Sequence, residues 1–246
     1  MSSPEPLLPD WPAPAGVRAA VSTRVGGVSH APYDSLNLGA HVGDEPRAVA
    51  ENRRRLAQAL DLPAPPRWLS QVHGVRVAAA HDAAPDEAAD GAWTDRAGVV
   101  CAVLTADCLP VLLCDRAGTR VAAAHAGWRG LANGVLEAAV RTLGVPGEEL
   151  LAWLGPAIAQ PRFEVGGEVR DAFLVGQAQA DRCFRPSEQG RWLADLYGLA
   201  RLRLAAVGVR AVYGGGLCTF DDPRFYSYRG EGVTGRFGSL IWLEAG

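Results

Sequence analysis

Short apolar runs broken by Gly, Pro and Asp recur along the chain, the pattern of strands separated by turns. Residues 17–23, VRAAVST, predict a first strand, and a Gly-rich turn follows through RVGGVSHAPYDSLNLGAHVGD. Asp44 reads as an N-cap and Pro46 as the first turn of a helix running to Leu60, ended by PAPP. Residues 67–80 predict a strand whose alternation puts Leu69, Gln71 and His73 on one face. The strip DAAPDEAADG (82–91) reads as a polar loop. Residues 98–104, 110–115 and 119–125 predict three apolar strands joined by tight turns. GLANGVLEAAVRTLG then switches to helical spacing. A strand at 150–154, helices at 164–175 and 192–207, a strand at 210–218 and a last strand near the carboxyl end complete the reading.

Strands clustered together with helices between them, rather than strict β-α alternation, predict an α+β fold with mixed sheets layered against flanking helices. A Pro-rich surface arm (residues 1–15) is expected to precede a single catalytic domain (16–246), and 246 residues suffice for a large core.

Composition narrows the function. A net charge of −3 offers no general attraction to nucleic acid or anionic membrane, so neither is an expected partner. Apolar runs such as VVCAVL are strand-length, and the opening residues lack the basic and apolar regions of a secretory signal, so a cytoplasmic protein is expected. Five cysteines without a CxxC pair argue against a disulfide framework. All 24 cationic side chains are arginine, which excludes Schiff-base chemistry, pyridoxal phosphate attachment, a Walker lysine and a Ser-Lys dyad.

The chemistry concentrates in TADCLPVLLCDRAGTRVAAAHAGWRG (105–130). Cys108 sits in a turn beside Asp107, and His125 ends the strand that follows the next one. His73 in WLSQVHG ends an earlier expected strand. One thiolate and two imidazoles make a zinc-type ligand set with an open fourth position, the arrangement of a catalytic ion. Each residue also has a structural reading, as a buried thiol or a hydrogen-bonded histidine. Gly127 and Gly130 would let the backbone approach a ligand closely. Trp128 is placed to help wall a pocket, whereas His30 and His81 read as solvated and Cys101, Cys114, Cys183 and Cys218 as inert small side chains. Arg53 falls on the inward stripe of the first helix with Val49, Leu56 and Leu60, calling for either an internal carboxylate or an anion. Gln71 either orients a substrate or satisfies a backbone group. Asn37 and His41 are either substrate-binding or turn residues.

The segments STRVGGVS (22–29), SLNLGAHVGD (35–44), ENRRRL (51–56), WLSQVHG (68–74), TADCLPVLL (105–113), AAAHAGWRG (122–130), LGPAI (154–158), FEVGGEV (163–169), YSYR (226–229) and TGR (234–236) carry a resemblance over nearly the whole chain. The chain resembles the laccase-domain family, also called polyphenol-oxidase or multicopper-oxidase-like, whose members include zinc-dependent purine nucleoside phosphorylases. The resemblance implies phosphorolysis of adenosine, inosine, guanosine and methylthioadenosine, with adenosine deamination as a second activity. It implies Zn²⁺, with Cu²⁺ as the alternative ion, on His73, Cys108 and His125. It also places Asn37, Arg53 and Gln71 around nucleoside and phosphate. Asp107 is expected as a proton carrier or as a support for the ligand beside it. The chain departs from the family pattern at Gly230, where a second basic residue often follows the YSY-like segment. Three other readings stand beside this one. They are a cysteine hydrolase or deamidase using Cys108 and His125, a copper-dependent phenol oxidase, and a metal-stabilised binding protein with Cys218 as a fourth ligand.

Overall fold

The computed structural model describes residues 3–245. Strand β1 (Val17–Val21) and helix α1 (Pro46–Ala59) precede β2 (Val77–Ala79), β3 (Gly91–Thr94), β4 (Val100–Thr105), β5 (Leu109–Asp115) and β6 (Val121–Ala126). Helices α2 (Trp128–Asn133) and α3 (Val135–Leu143) lead to β7 (Leu150–Leu154), β8 (Glu164–Val165) and α4 (Gly167–Leu174). Then come β9 (Phe184–Pro186), β10 (Trp192–Ala194), α5 (Leu196–Ala206), β11 (Ala211–Gly214), α6 (Tyr228–Glu231) and β12 (Phe237–Leu243).

Side-chain alternation on the central strands sets the layers. Val111, Leu113, Ala122, Ala124 and Ala152 face a core built with α3, α4 and α5. Their neighbours Leu112, Cys114, Val121, Ala123 and Trp153 face a second core, shared with Cys101, Val103, Phe237 and Ile241. A third core, of Val100, Ala102, Leu104, Leu240 and Trp242, meets Leu36, Leu38 and Leu56. The central strands are therefore apolar on both faces, as covered strands must be. The order through the molecule is helices, the mixed sheet β11-β7-β5-β6-β3-β2, the antiparallel sheet β1-β12-β4, then α1 with the 36–38 segment. The fold is α+β with mixed sheets layered against helices. A small sheet, β8-β10-β9, flanks it.

Several elements differ from expectation. The strand expected over 67–80 shrinks to Val77–Ala79, and His73 sits in a loop at φ +59. The strip 82–91 ends in β3 rather than in solvent, and its Asp90 is fully buried. Gly134, at φ +99, divides the helix expected after His125. Residues 192–207 split because Asp195 caps α5, accepting from the Gly198 amide. The strand expected to 218 stops at Gly214, the first of three consecutive glycines with positive φ. His81 packs edge-on against Trp93, with ring centroids 5.9 Å apart, rather than lying in solvent. Within the residues read as an arm, Leu7 and Val21 exchange backbone hydrogen bonds of 2.8 Å, and Leu7 and Trp11 pack on the core between the sheets. Among the described residues no helix is long and apolar enough to cross a membrane.

Candidate metal centre

The link from β4 to β5 leaves one sheet and enters another, and Cys108 lies on it. Asp107 makes this turn at φ +91. Its carboxylate accepts from the Thr219 and Ser227 hydroxyls at 2.7 Å each and from the Arg229 amide at 2.6 Å. Its carbonyl accepts from the Ile158 amide at 3.0 Å, so the LGPAI segment braces the same turn. Of the two roles open to Asp107, these bonds serve support of the thiol's turn, and its side chain is absent from the cavity wall.

His125 closes β6 on the face turned towards the second core. Its Nδ1 lies 2.8 Å from Asp90 Oδ1, and its own amide donates to the Asp90 carbonyl at 2.7 Å. The same carboxylate gathers the loop that carries His73. It accepts from the amides of His73 at 2.9 Å, Gly74 at 2.6 Å and Val72 at 3.2 Å. One buried carboxylate therefore holds two of the three donors, and engaging Nδ1 leaves Nε2 of His125 free to bind.

His73 Nε2 lies 3.7 Å from Cys108 Sγ, and the donor atoms of His73, Cys108 and His125 all fall within 4.8 Å of one another. A tetrahedral zinc ion with ordinary bond lengths holds a sulfur and a nitrogen ligand ~3.6 Å apart, so the spacing suits a shared ion. The two imidazoles meet edge to face, with centroids 4.8 Å apart. Gly127 makes this approach possible: a Cβ there would stand 2.6 Å from His73 Cδ2 and 3.1 Å from Cys108 Sγ. A Cβ on Gly130 would stand 2.8 Å from the Gly74 carbonyl. These two glycines thus seat the His73 loop, where the sequence suggested contact with a ligand.

The electrostatics follow from burial and pairing. Burial alone would raise the Cys108 thiol, but the His125 charge and hydrogen bonds from both histidines outweigh it and bring the pKa down to about 6. Burial works against the His125 cation, yet the Cys108 thiolate and the Asp90 hydrogen bond lift its pKa to about 9. Among the described residues this trio is the one cluster of three such donors. Cys218 lies elsewhere, bridged to Ala157 and beside Asp221, so it supplies no fourth ligand.

A cavity of about 400 Å³ opens over the trio, with His41, Gln71, Thr105, Tyr228 and Arg236 in its walls. The volume is in the range of small-molecule sites. Gln71 lines it, but its amide is tied to β4, donating to the Leu104 carbonyl and accepting from the Leu104 amide at 2.7 Å each. Asn37 is fully buried outside it. Its Oδ1 accepts from the Gly39 and Arg236 amides, and its Nδ2 donates to Asp44 and the Gly39 carbonyl. Among the described residues Arg53 forms no ion pair, and it does not line the cavity. Its guanidinium donates twice to the Leu38 carbonyl and lies 4.5 Å from the Trp68 ring. The polar residue at the heart of that helix face is Asn52, buried and bonded to Val28, Ser29 and the Asn37 carbonyl. Trp128 packs on the helical core, away from the cavity. Sequence reasoning missed Asp90, hidden in an alanine-rich strip, and Arg236, whose only signal was its place in TGR.

The model of the family described as multi-copper polyphenol oxidoreductase laccase matches residues 18–244, which include all three donors. The chain belongs to this laccase family. Among its relatives, a protein of Pseudomonas aeruginosa named purine nucleoside phosphorylase is 65% identical over 240 residues, 97% of this chain and 98% of its own. Escherichia coli YfiH, named purine nucleoside phosphorylase, is 54% identical over 96% of this chain and 98% of its own. A crystal structure from Neisseria meningitidis superposes with a TM-score of 0.94 at 52% identity, covering 98% of this chain and 99% of that one. YlmD of Geobacillus stearothermophilus superposes at 0.84 with 33% identity, covering 94% and 93%. The laccase-family fold thus brings a His-Cys-His cluster able to bind a metal to the floor of a small-molecule cavity.

Proposed function

We propose that this protein is a zinc-dependent purine nucleoside phosphorylase acting on adenosine, inosine and methylthioadenosine, with adenosine deamination as a second activity. The observation that carries the reading is the convergence of His73, Cys108 and His125, with no fourth donor among the described residues, on the floor of a nucleoside-sized cavity. The names of the relatives support the reaction class.

In phosphorolysis a phosphate oxygen forms a bond to ribose C1′ as the bond from C1′ to the base nitrogen breaks. The base leaves with that electron pair and takes up a proton, giving free purine and ribose 1-phosphate. Deamination exchanges the purine C6 amine for oxygen from water and releases ammonia. Zinc on the three donors would supply Lewis-acid polarisation of a substrate or water oxygen. The chain's own residues do the positioning. Asp90 fixes His125 and the His73 loop, and Asp107 fixes the turn of Cys108. Gln71 braces the edge of β4, and Tyr228 offers an exposed aromatic face at the cavity mouth.

A cysteine hydrolase is the second reading, favoured by one observation. Asp90, His125 and Cys108 follow the order of an acid-imidazole-thiol triad, with the thiol lowered to about 6. His73 counts against it, because a hydrolytic pair has no need of a second imidazole 3.7 Å from the sulfur. A phenol oxidase reducing dioxygen to water needs several copper centres, whereas the described residues hold a single three-donor cluster.

The test is an assay of the zinc-loaded chain on inosine with phosphate, following hypoxanthine and ribose 1-phosphate. Formation of both supports the proposal, and turnover of neither defeats it. Hydrolysis of amides by the metal-free chain would favour the cysteine hydrolase.

A further inference from the structure

We infer that Arg236 is the anchor of an oxyanion subsite in the cavity, and that its ligand is inorganic phosphate. This rests on the phosphorylase reading and assigns the second substrate a place within it.

The guanidinium lines the same cavity as the three donors. It donates through one terminal nitrogen to the Thr234 and Gly235 carbonyls, at 3.0 and 2.9 Å. Among the described residues no carboxylate lies within ion-pair distance of it. Burial makes the Arg236 charge costly, and Cys108 and then Asp107 are the groups that offset this most. Cys108 is one of the three donors and sits against the His73 imidazole, so it is no partner reserved for Arg236. No Asp or Glu lines the cavity to pair with Arg236. A half-buried guanidinium with no carboxylate partner among the described residues, 5.8 Å from the Tyr228 ring centroid and in the wall of a candidate metal cavity, calls for an anion. A planar fork with free N–H groups matches two oxygens of a phosphate.

The surrounding sequence is arranged to hold this one side chain. Asn37 Oδ1 accepts from the Arg236 amide at 2.8 Å, and the Leu38 amide donates to the Arg236 carbonyl at 3.0 Å. Arg53 clamps the Leu38 carbonyl from the other side at 2.8 Å. Gly39 provides the passage for the stem: a Cβ there would stand 2.8 Å from Arg236 Cγ and 3.1 Å from Arg236 Cβ. Asn37 and Arg53 therefore act on the cavity through Arg236, although neither reaches it. His41, in the same segment, lines the cavity beside Arg236. Burial first, then the Arg236, Arg53 and His125 charges, lower its pKa, so it faces the subsite as a neutral hydrogen-bonding ring.

The test is calorimetric titration of inorganic phosphate into the zinc-loaded full chain, alongside inosine phosphorolysis at varied phosphate. Arg236→Met is expected to weaken phosphate binding and raise KM for phosphate about 10- to 100-fold, leaving KM for inosine unchanged. Arg236→Lys, which keeps the charge and loses the fork, should fall between. Gly39→Ala, which displaces the stem without altering a cavity group, should shift phosphate binding in the same direction. Inosine 5′-monophosphate serves as the contrasting probe. Binding of this ester, and not of inorganic phosphate, in an Arg236-dependent way would overturn the assignment. Phosphate binding equal in wild type and Arg236→Met, with circular dichroism of both native, would overturn it as well. The two failures separate: Arg236-dependent phosphate binding without inosine cleavage sinks the phosphorylase reading alone. Phosphorolysis with an unchanged phosphate KM in Arg236→Met sinks the subsite alone.

Discussion

Asp90 Oδ1 lies 2.8 Å from His125 Nδ1 and 2.9 Å from the backbone nitrogen of His73, so one buried oxygen orients donors that are 52 residues apart in the chain. Its partner oxygen takes the Gly74 and Val72 amides. In Asp90→Asn the NH2 group cannot accept, so at least one set of these bonds is lost. Zinc affinity, measured by chelator competition, should fall about 10- to 100-fold. The d–d absorption of the cobalt-substituted protein should change with it. Affinity equal to wild type would show that the donors orient without Asp90.

Gly127→Ala tests the approach of His73 to Cys108. The added methyl would overlap the His73 ring, which can move only by leaving the thiol. The variant should bind less than one zinc per chain at stoichiometric metal while its metal-free melting temperature stays close to wild type. Full zinc occupancy would contradict the close approach.

Cys108 should be the reactive thiol of the metal-free protein. Its pKa is lowered to about 6, so the thiolate persists above that pH and is lost as pH falls through it. Alkylation by iodoacetamide, read by peptide mass spectrometry, should therefore be fast at pH 7 and decline below about pH 6. Burial raises Cys101 and takes Cys114 to about 12, so both should stay unmodified while the fold is intact. Zinc should protect Cys108. An alkylation midpoint at the ordinary thiol value would contradict the His125 pairing.

Much of the layering was legible, because strands 100–105, 109–115 and 121–126 are apolar on both faces and short. The trio was legible for a different reason: thiols and imidazoles at strand ends advertise chemistry whatever their spacing. The loop of His73 has the pattern of a strand, which gives no sign that a carboxylate 17 residues away collects three successive amides. Asp90 was invisible for the same reason, an acid among alanines whose burial depends on β3 pairing with β6. Spacing leaves Asn37 and Gln71 open between substrate contact and backbone bonding, and Arg53 between an anion and an internal carboxylate. In the structure each bonds backbone groups, a role that single-chain spacing does not separate from binding.

Asn52 carries a prediction about stability. Its amide joins α1 to the 28–29 and 37 segments through three hydrogen bonds of 2.8–2.9 Å, fully buried. Asn52→Ala leaves those partners unpaired and should cost about 2–4 kcal/mol in urea unfolding. Because the 37–39 segment holds Arg236, cavity function should weaken alongside it. A loss below about 0.5 kcal/mol, the size of an ordinary surface change, would contradict the buried network.

The central claim is that His73, Cys108 and His125 hold one divalent ion for nucleoside cleavage. The most direct measurement is inosine phosphorolysis by chelator-stripped protein as zinc is added back, for wild type and Cys108→Ala. The account predicts no turnover before zinc, recovery saturating at one ion per wild-type chain, and none in the variant. Turnover by the stripped protein, or equal recovery in Cys108→Ala, would contradict it.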